Sequence, residues 1–234
     1  MRIITDEKVS IVFTSAGNPE LWTGYLREKG ITVVHVVSSV KFARKAEKCG
    51  VDAIVAEGFE AGGHNGREET TTFVLIPMVR DAVSIPLIGA GGIATGRSML
   101  ASEILGAEGF QVGSRFAVSE ESSAHDKFKA KMTATEEGQT TVTMRQLTPV
   151  RILKNKFYEK INDAELRGAT KEELIEILGS RRARLGIFEG DLDEGELEIG
   201  QISSSIKKVQ AAKDIVEEMW EEYCALRKAI CMDQ

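Results

Sequence analysis

Three stretches decide the fold: Ala56-Glu57-Gly58-Phe59-Glu60-Ala61-Gly62-Gly63-His64-Asn65-Gly66, then Pro86-Leu87-Ile88-Gly89-Ala90-Gly91-Gly92, then Gly109-Phe110-Gln111-Val112-Gly113-Ser114-Arg115-Phe116. Each is a short apolar strand running into a glycine-bearing loop. Glycine lacks the Cβ that would hold a ligand away, so backbone N–H groups in such loops can close on a phosphate. In a (β/α)₈ barrel the phosphate site lies after the last two strands. His64 sits one loop earlier, framed by Gly62, Gly63 and Gly66, where an imidazole can reach a bound substrate. The species these loops suit is a phosphorylated cofactor.

Working outward, strand-like runs at Ser10 to Thr14, Thr32 to Val37, Ala53 to Ala56, Pro86 to Ile88 and Phe110 to Val112 are apolar on both faces, the pattern of buried parallel strands. Helical stretches alternate with them. Asn18 caps the first, with Pro19 at its first position and Gly30 past its end; Ser38 or Ser39 caps the second, which stops at Gly50. Thr72 to Val83 reads as a third despite Pro77, and Arg97 to Leu105, closed by Gly106, as a fourth. The expectation is an α/β fold: a TIM-type (β/α)₈ barrel lacking its first strands, with about five β/α units present, plus a C-terminal helical segment. A full barrel takes eight units in about 250 residues. Five open parallel strands would leave an unpaired edge and an uncovered apolar face. A truncated gene or gene model would account for what is missing, and a complementing N-terminal chain or swapping within a homo-oligomer would supply it.

Beyond Phe116 the glycine-loop rhythm ends. Thr170 and Glu173 form a capping box at TKEELIEILG, and Val209, Ala212, Val216, Met219, Trp220, Tyr223 and Leu226 mark one amphipathic helix between Ser203 and Ile230. Arg151, Lys154 and Lys156 read as a solvated basic face, His35 as a satisfied core or barrel-lining residue, and His125 as a residue on an exposed helix. GAGGIATG superficially matches a dinucleotide fingerprint. It is not in the first β/α unit and no strand ending in Asp or Glu follows at the expected distance, so that reading is weak.

Composition bounds the rest. The 234 residues are 42% hydrophobic and 28% charged, ordinary for a globular protein able to bury a sizeable core. A net charge of −6 argues against nucleic-acid binding, which needs clustered Lys and Arg. No apolar run is long enough to span a bilayer and no signal peptide is evident, so the expected compartment is the cytoplasm, away from membranes. Cys49, Cys224 and Cys231 are too scattered for a disulfide framework or a zinc site, and no metal is expected. Cys49, before Gly50, reads as a small packed residue.

The segments AEGFEAGGHNG, IPLIGAGGIATGR and LGAEGFQVGSRF resemble the flavin-dependent nitronate monooxygenases, formerly called 2-nitropropane dioxygenases, and the related flavin-type enoyl-acyl carrier protein reductases. The resemblance runs from Val9 through FTSAGNP, Phe13 to Pro19, to FEGDLDEGELEIGQ, Phe188 to Gln201. It departs at the start, where the family's first strands carry a Gly-Gly-Met flavin loop and an asparagine flavin ligand. The resemblance implies FMN as cofactor, with Gly91, Gly92, Gln111, Val112, Gly113 and Ser114 around its phosphate and Glu57 and Gly62 lining the flavin. Glu57 stands where the family often has glutamine.

His64 aligns with the family's active-site histidine, the implied acid–base residue. Residues 1–118 would form a partial FMN-binding barrel, and 119–234 a mostly helical region packing on it. The implied reaction is oxidation of an alkyl nitronate with O₂ to a carbonyl compound and nitrite. The alternative is NADH-driven reduction of an enoyl thioester, for which Arg151, Lys154 and Lys156 would face an acidic carrier protein. A reading of another class is an inactive fragment or subunit of such an enzyme, and a chain without the front strands is expected to bind FMN weakly.

Overall fold

A computed structural model describes residues 2–232. It divides into two compact units, one made of residues 1–59, 68–90 and 101–111, the other of residues 60–67, 91–100 and 112–234. The chain order is α1 (Arg2–Asp6), β1 (Ile11–Thr14), α2 (Glu20–Glu28), β2 (Thr32–Val37), α3 (Val40–Lys48), β3 (Ala53–Glu57), β4 (Gly63–His64), α4 (Thr72–Arg80), β5 (Leu87–Ala90), α5 (Gly96–Ile104) and β6 (Gly109–Gln111). Then come α6 (Ser114–Ala117), α7 (Asp126–Thr133), β7 (Thr140–Thr143), β8 (Val150–Leu153), α8 (Lys156–Leu166), α9 (Lys171–Leu178), α10 (Arg182–Ile187), a 3₁₀ turn (Gln201–Ser205) and α11 (Ala212–Met232). No helix among the described residues is long and apolar enough to cross a membrane.

The first unit is a five-stranded parallel sheet ordered β1-β2-β3-β5-β6, the partial β/α barrel that the apolar runs predict. Side chains alternate between its faces. Val33, Val37, Ile54, Ala56 and Leu87 lie on one face and join Leu26, Ala43, Ala46, Leu75, Ile76 and Val79 of α2, α3 and α4 in one core. Full burial of each such Leu, Ile or Val removes enough apolar surface from water to contribute about 1.5–3 kcal/mol. His35 shares that face, buried at 5% exposure, and its Nδ1 lies 2.7 Å from Thr14 Oγ1 in the paired strand. Burial, then the Lys45 charge, pushes its pKa down, so it is a core residue with a satisfied ring.

The opposite face carries Val34, Val55 and Ala90, with Val36, Ala53 and Ile88 packed against them. On edge strand β1, Ile11 and Phe13 belong to this face and stay exposed.

The helix boundaries follow local chemistry. Asn18 Oδ1 accepts from Glu20 N at 3.3 Å, although Pro19 rather than Asn18 is the residue immediately before the helix. Ser39 Oγ accepts from Phe42 N at the start of α3. Gly30, Gly50 and Gly106 end helices α2, α3 and α5 with positive φ, which glycine adopts without strain. Cys49 is the half-buried C-cap of α3.

The second unit holds an antiparallel sheet ordered β4-β8-β7 among its helices. Val150, Ile152 and Met144 pack on Phe157 and Ile161 of α8, and Leu153, Leu197 and Ile199 pack with Phe128 and Met132 of α7. Thr170 and Glu173 form the expected capping box on α9.

Three readings are corrected here. Arg151 is 2% exposed within β8 rather than on a solvated face, because its strand is covered. His125 is the N-cap of α7, its Nδ1 accepting from Lys127 N, not a residue on the helix surface. The final helix begins at Ala212 instead of near Ser203, which lies in the 3₁₀ turn, and buries Ile215, Met219 and Tyr223 while Val216 and Trp220 stay exposed. The side chain of Cys231 lies outside the described residues.

Candidate functional site

The histidine loop is held by its own polar groups. Gly63 takes φ +75°, and Asn65 Nδ2 donates to the carbonyls of Ala61 and Gly63 at 2.9 and 3.0 Å. Asn65 N donates to Pro149 O at 2.8 Å, and the Arg67 guanidinium donates to the carbonyls of Arg145 and Leu147. The two-residue strand β4 pairs with β8, Gly63 opposite Arg151 and His64 opposite Val150. The result is an exposed imidazole on a pinned backbone.

Gly62 is packed against the chain itself. A Cβ there would lie 2.4 Å from the Ile199 carbonyl carbon and 2.5 Å from Gly200 N. Gly200 N in turn donates to Ser114 Oγ at 2.9 Å, and Gln201 N to Glu60 O at 2.9 Å. This knot joins the His64 loop, the Ser114 turn and the segment Glu196 to Gln201.

His64 opens onto a cavity of about 290 Å³, whose walls include Met144, Leu147, Val150, Arg182, Glu196 and Glu198. Asn155 ties α8 to the stretch that leads into Glu196: Oδ1 caps α8 by accepting from Tyr158 N, and Nδ2 donates to Leu192 O and Gly195 O, both at 2.8 Å. Leu153 N donates to Leu197 O and Glu196 N to Arg182 O, so the backbone carrying the two glutamates is fixed. Burial, reinforced by the Glu198 charge and opposed by Arg182, raises the Glu196 pKa to about 7. Burial also raises that of Glu198, while the charge of His64 pulls it back down.

The glycine loops have the conformations that a phosphate cradle needs. Gly91 and Gly92 are consecutive residues with φ +92° and +68°. A Cβ on Gly113 would meet nothing within 4 Å, leaving open space over that backbone. Val112 follows β6, Gly113 caps α6, and the Ser114 hydroxyl, accepting from Gly200, retains its proton for donation. In the sheet, register places Glu57, Ala90 and Gln111 in one row at the carboxyl ends of β3, β5 and β6. Desolvation raises the Glu57 pKa to about 7. Gly91, Gly92, Gly113 and Ser114 fit a flavin phosphate in their loop chemistry: glycine backbone donors free of Cβ atoms, with a hydroxyl beside them.

Glu196 and Glu198 were not singled out from sequence as site residues. Their signal is the alternation Glu-Leu-Glu-Ile in Glu196 to Ile199, which read at period two puts both carboxyl groups on one side and both apolar groups on the other.

A partial β/α barrel with glycine turns after its strands and a histidine beside a small cavity defines the class. The family model for nitronate monooxygenase matches residues 1–222, and the chain belongs to that family. It is 35% identical over 173 residues to a probable nitronate monooxygenase of Staphylococcus saprophyticus, covering 69% of this chain and 48% of that protein. It is 40% identical over 149 residues to one from Staphylococcus aureus strain JH9, covering 60% and 42%. The chain thus spans about half the length of the curated relatives it matches. Among solved structures, FabK from Thermotoga maritima matches with TM-score 0.93 and 38% identity, covering all of this chain and 74% of that one. Nitroalkane oxidase from Streptomyces ansochromogenes matches with TM-score 0.81 and 27% identity, covering 98% and 68%.

Proposed function

We propose that this chain carries the histidine and phosphate-loop part of an FMN-dependent nitronate monooxygenase. The observation that carries the reading is His64, exposed on a pinned two-residue strand at the lip of a 290 Å³ cavity. That volume suits a small nitroalkane or nitronate with few heavy atoms. Gly91, Gly92, Val112, Gly113 and Ser114 would hold the FMN phosphate through backbone and hydroxyl donors. When bound, FMN supplies the electron acceptor for the substrate and the route of electrons to O₂. His64 supplies the proton chemistry: its imidazole removes a proton from the carbon next to the nitro group, and the electron pair moves onto the nitro oxygens to give the nitronate. Met144, Leu147 and Val150 supply apolar walls to the cavity beside His64.

A second reading is NADH-driven reduction of an enoyl thioester, favoured by the likeness to FabK over the whole chain. In it His64 donates a proton to the carbon beside the thioester after hydride addition. Supplying FMN and assaying both reactions separates the two. Nitrite and carbonyl product from a nitronate, without NADH, support the first; NADH-dependent reduction of an enoyl thioester far exceeding nitrite release overturns it. Releasing the cofactor by denaturation and weighing it tests FMN, and FAD would contradict that assignment.

A further inference from the structure

We propose that Glu198 is the positioning residue of His64: its carboxylate orients the imidazole and balances the charge it gains on accepting a proton. The inference rests on the reading of His64 as the acid–base group. Backbone geometry carries it. Strand β8 pairs through Val150 and Arg151 with His64 and Gly63, and its next residue, Ile152, bridges Glu198. The histidine strand and the glutamate segment therefore meet β8 at consecutive positions. They come close as well: a Cβ on Gly63 would lie 2.9 Å from Glu198 Oε2. Both side chains then line the same cavity.

The placement of Glu198 is not incidental to packing. Its neighbours Leu197 and Ile199 are buried in the core with Phe128 and Met132, which anchors the segment and leaves Glu198, half-buried, on the cavity side. The charged groups around it are His64, Glu196, Arg181 and Arg182 in the cavity wall, with Arg151 in β8 opposite Gly63. Arg182 is engaged elsewhere, donating to the carbonyls of Leu178 and Glu194 and pairing with the Glu194 carboxylate. The charge of His64 acts on Glu198, pulling its pKa down against burial, whereas the charges acting on Glu196 are those of Glu198 and Arg182.

In the reaction, the proton leaves the substrate carbon, its C–H electron pair moves into the nitro group, and the proton arrives on an imidazole nitrogen. Glu198 remains ionised and holds the resulting imidazolium, as a carboxylate behind a catalytic histidine does. A nearby opposite charge lowers a carboxyl pKa, so the pairing has a signature visible without any turnover.

The first test is a ¹³C NMR titration of the Glu198 carboxyl in the chain itself, compared with His64→Gln. The Glu198 midpoint is expected to rise in the variant; an unchanged midpoint overturns the inference. The second test is kinetic. Glu198→Gln is expected to lower kcat/KM for a neutral nitroalkane about tenfold, with kcat falling more than KM rises and the pH–rate profile changing shape. Glu198→Asp should recover part of the loss, and Glu198→Gln added to His64→Ala should cost little more than His64→Ala alone. Full additivity of the two substitutions would overturn the inference. The two arms separate the failures: a coupled titration in a protein that oxidises no nitroalkane removes the proposed reaction and keeps the pair. An uncoupled titration in an active enzyme removes the pair and keeps the reaction.

Discussion

Gly62 and Ile199 are in backbone contact so close that a methyl group on Gly62 would come within 2.4 Å of the Ile199 carbonyl carbon. Read from sequence, Gly62 is a glycine that lets a flavin approach; in the folded chain its missing side chain is already required by the segment carrying Glu198. Gly62→Ala should therefore destabilise the protein whether or not flavin is bound. The obstructing atoms are backbone, with no rotamer to relieve them, and overpacking of this kind costs about 1–3 kcal/mol or more. Urea unfolding of both proteins measures it; an unchanged midpoint without ligand would show that the loop yields freely.

Glu57 gives a pH prediction. Its folded pKa near 7 lies above its unfolded value because burial disfavours the charge. The native state then holds a proton that the unfolded chain has lost, so the contribution is fully present below about pH 4.5 and is lost as pH rises towards 7. Glu57→Gln should remove that loss, and the variant should gain on the wild type across this window, by about 3 kcal/mol at most. Parallel stability curves for the two proteins from pH 4.5 to 7.5 would contradict the assignment.

The first turn of α5 depends on the last helix. Gly96 N donates to Glu222 Oε2 at 2.7 Å, and a Cβ on Gly96 would lie 2.2 Å from Tyr223 N. Glu222→Gln keeps the shape and removes the charge facing the helix N-terminus, at a cost of about 0.5–1 kcal/mol. Gly96→Ala blocks the approach of the backbones and should cost more. Hydrogen exchange of α11 amides reads both; equal protection in the wild type and Gly96→Ala would contradict the contact.

Much of this was legible in the chain. Continuous apolar runs such as Thr32 to Val37 announce buried parallel strands, and Ser39, Thr170 and Glu173 announce helix starts because their side chains satisfy orphan amides. Strands β7 and β8 were not legible. Thr140 to Thr143 is mostly hydroxylated, and Arg151 interrupts the apolar Val150 to Leu153, so neither shows a strand's alternation. Arg151 is buried by tertiary contacts that a local pattern does not contain. Around the candidate site, the sequence is legible where backbone conformation demands glycine, as at Gly91 and Gly92, and illegible where distant segments meet, as Gly63 does with Glu198.

His64 is the centre of the account, and the comparison of two substrates tests it most directly. With FMN supplied, kcat/KM should be measured for His64→Ala on a neutral nitroalkane and on the preformed nitronate. The neutral substrate must lose a proton, so its turnover should fall about 10²-fold or more, while the nitronate, already deprotonated, should fall far less. Equal losses on the two substrates would contradict a proton-transfer role for His64 and leave it a residue that only binds or orients.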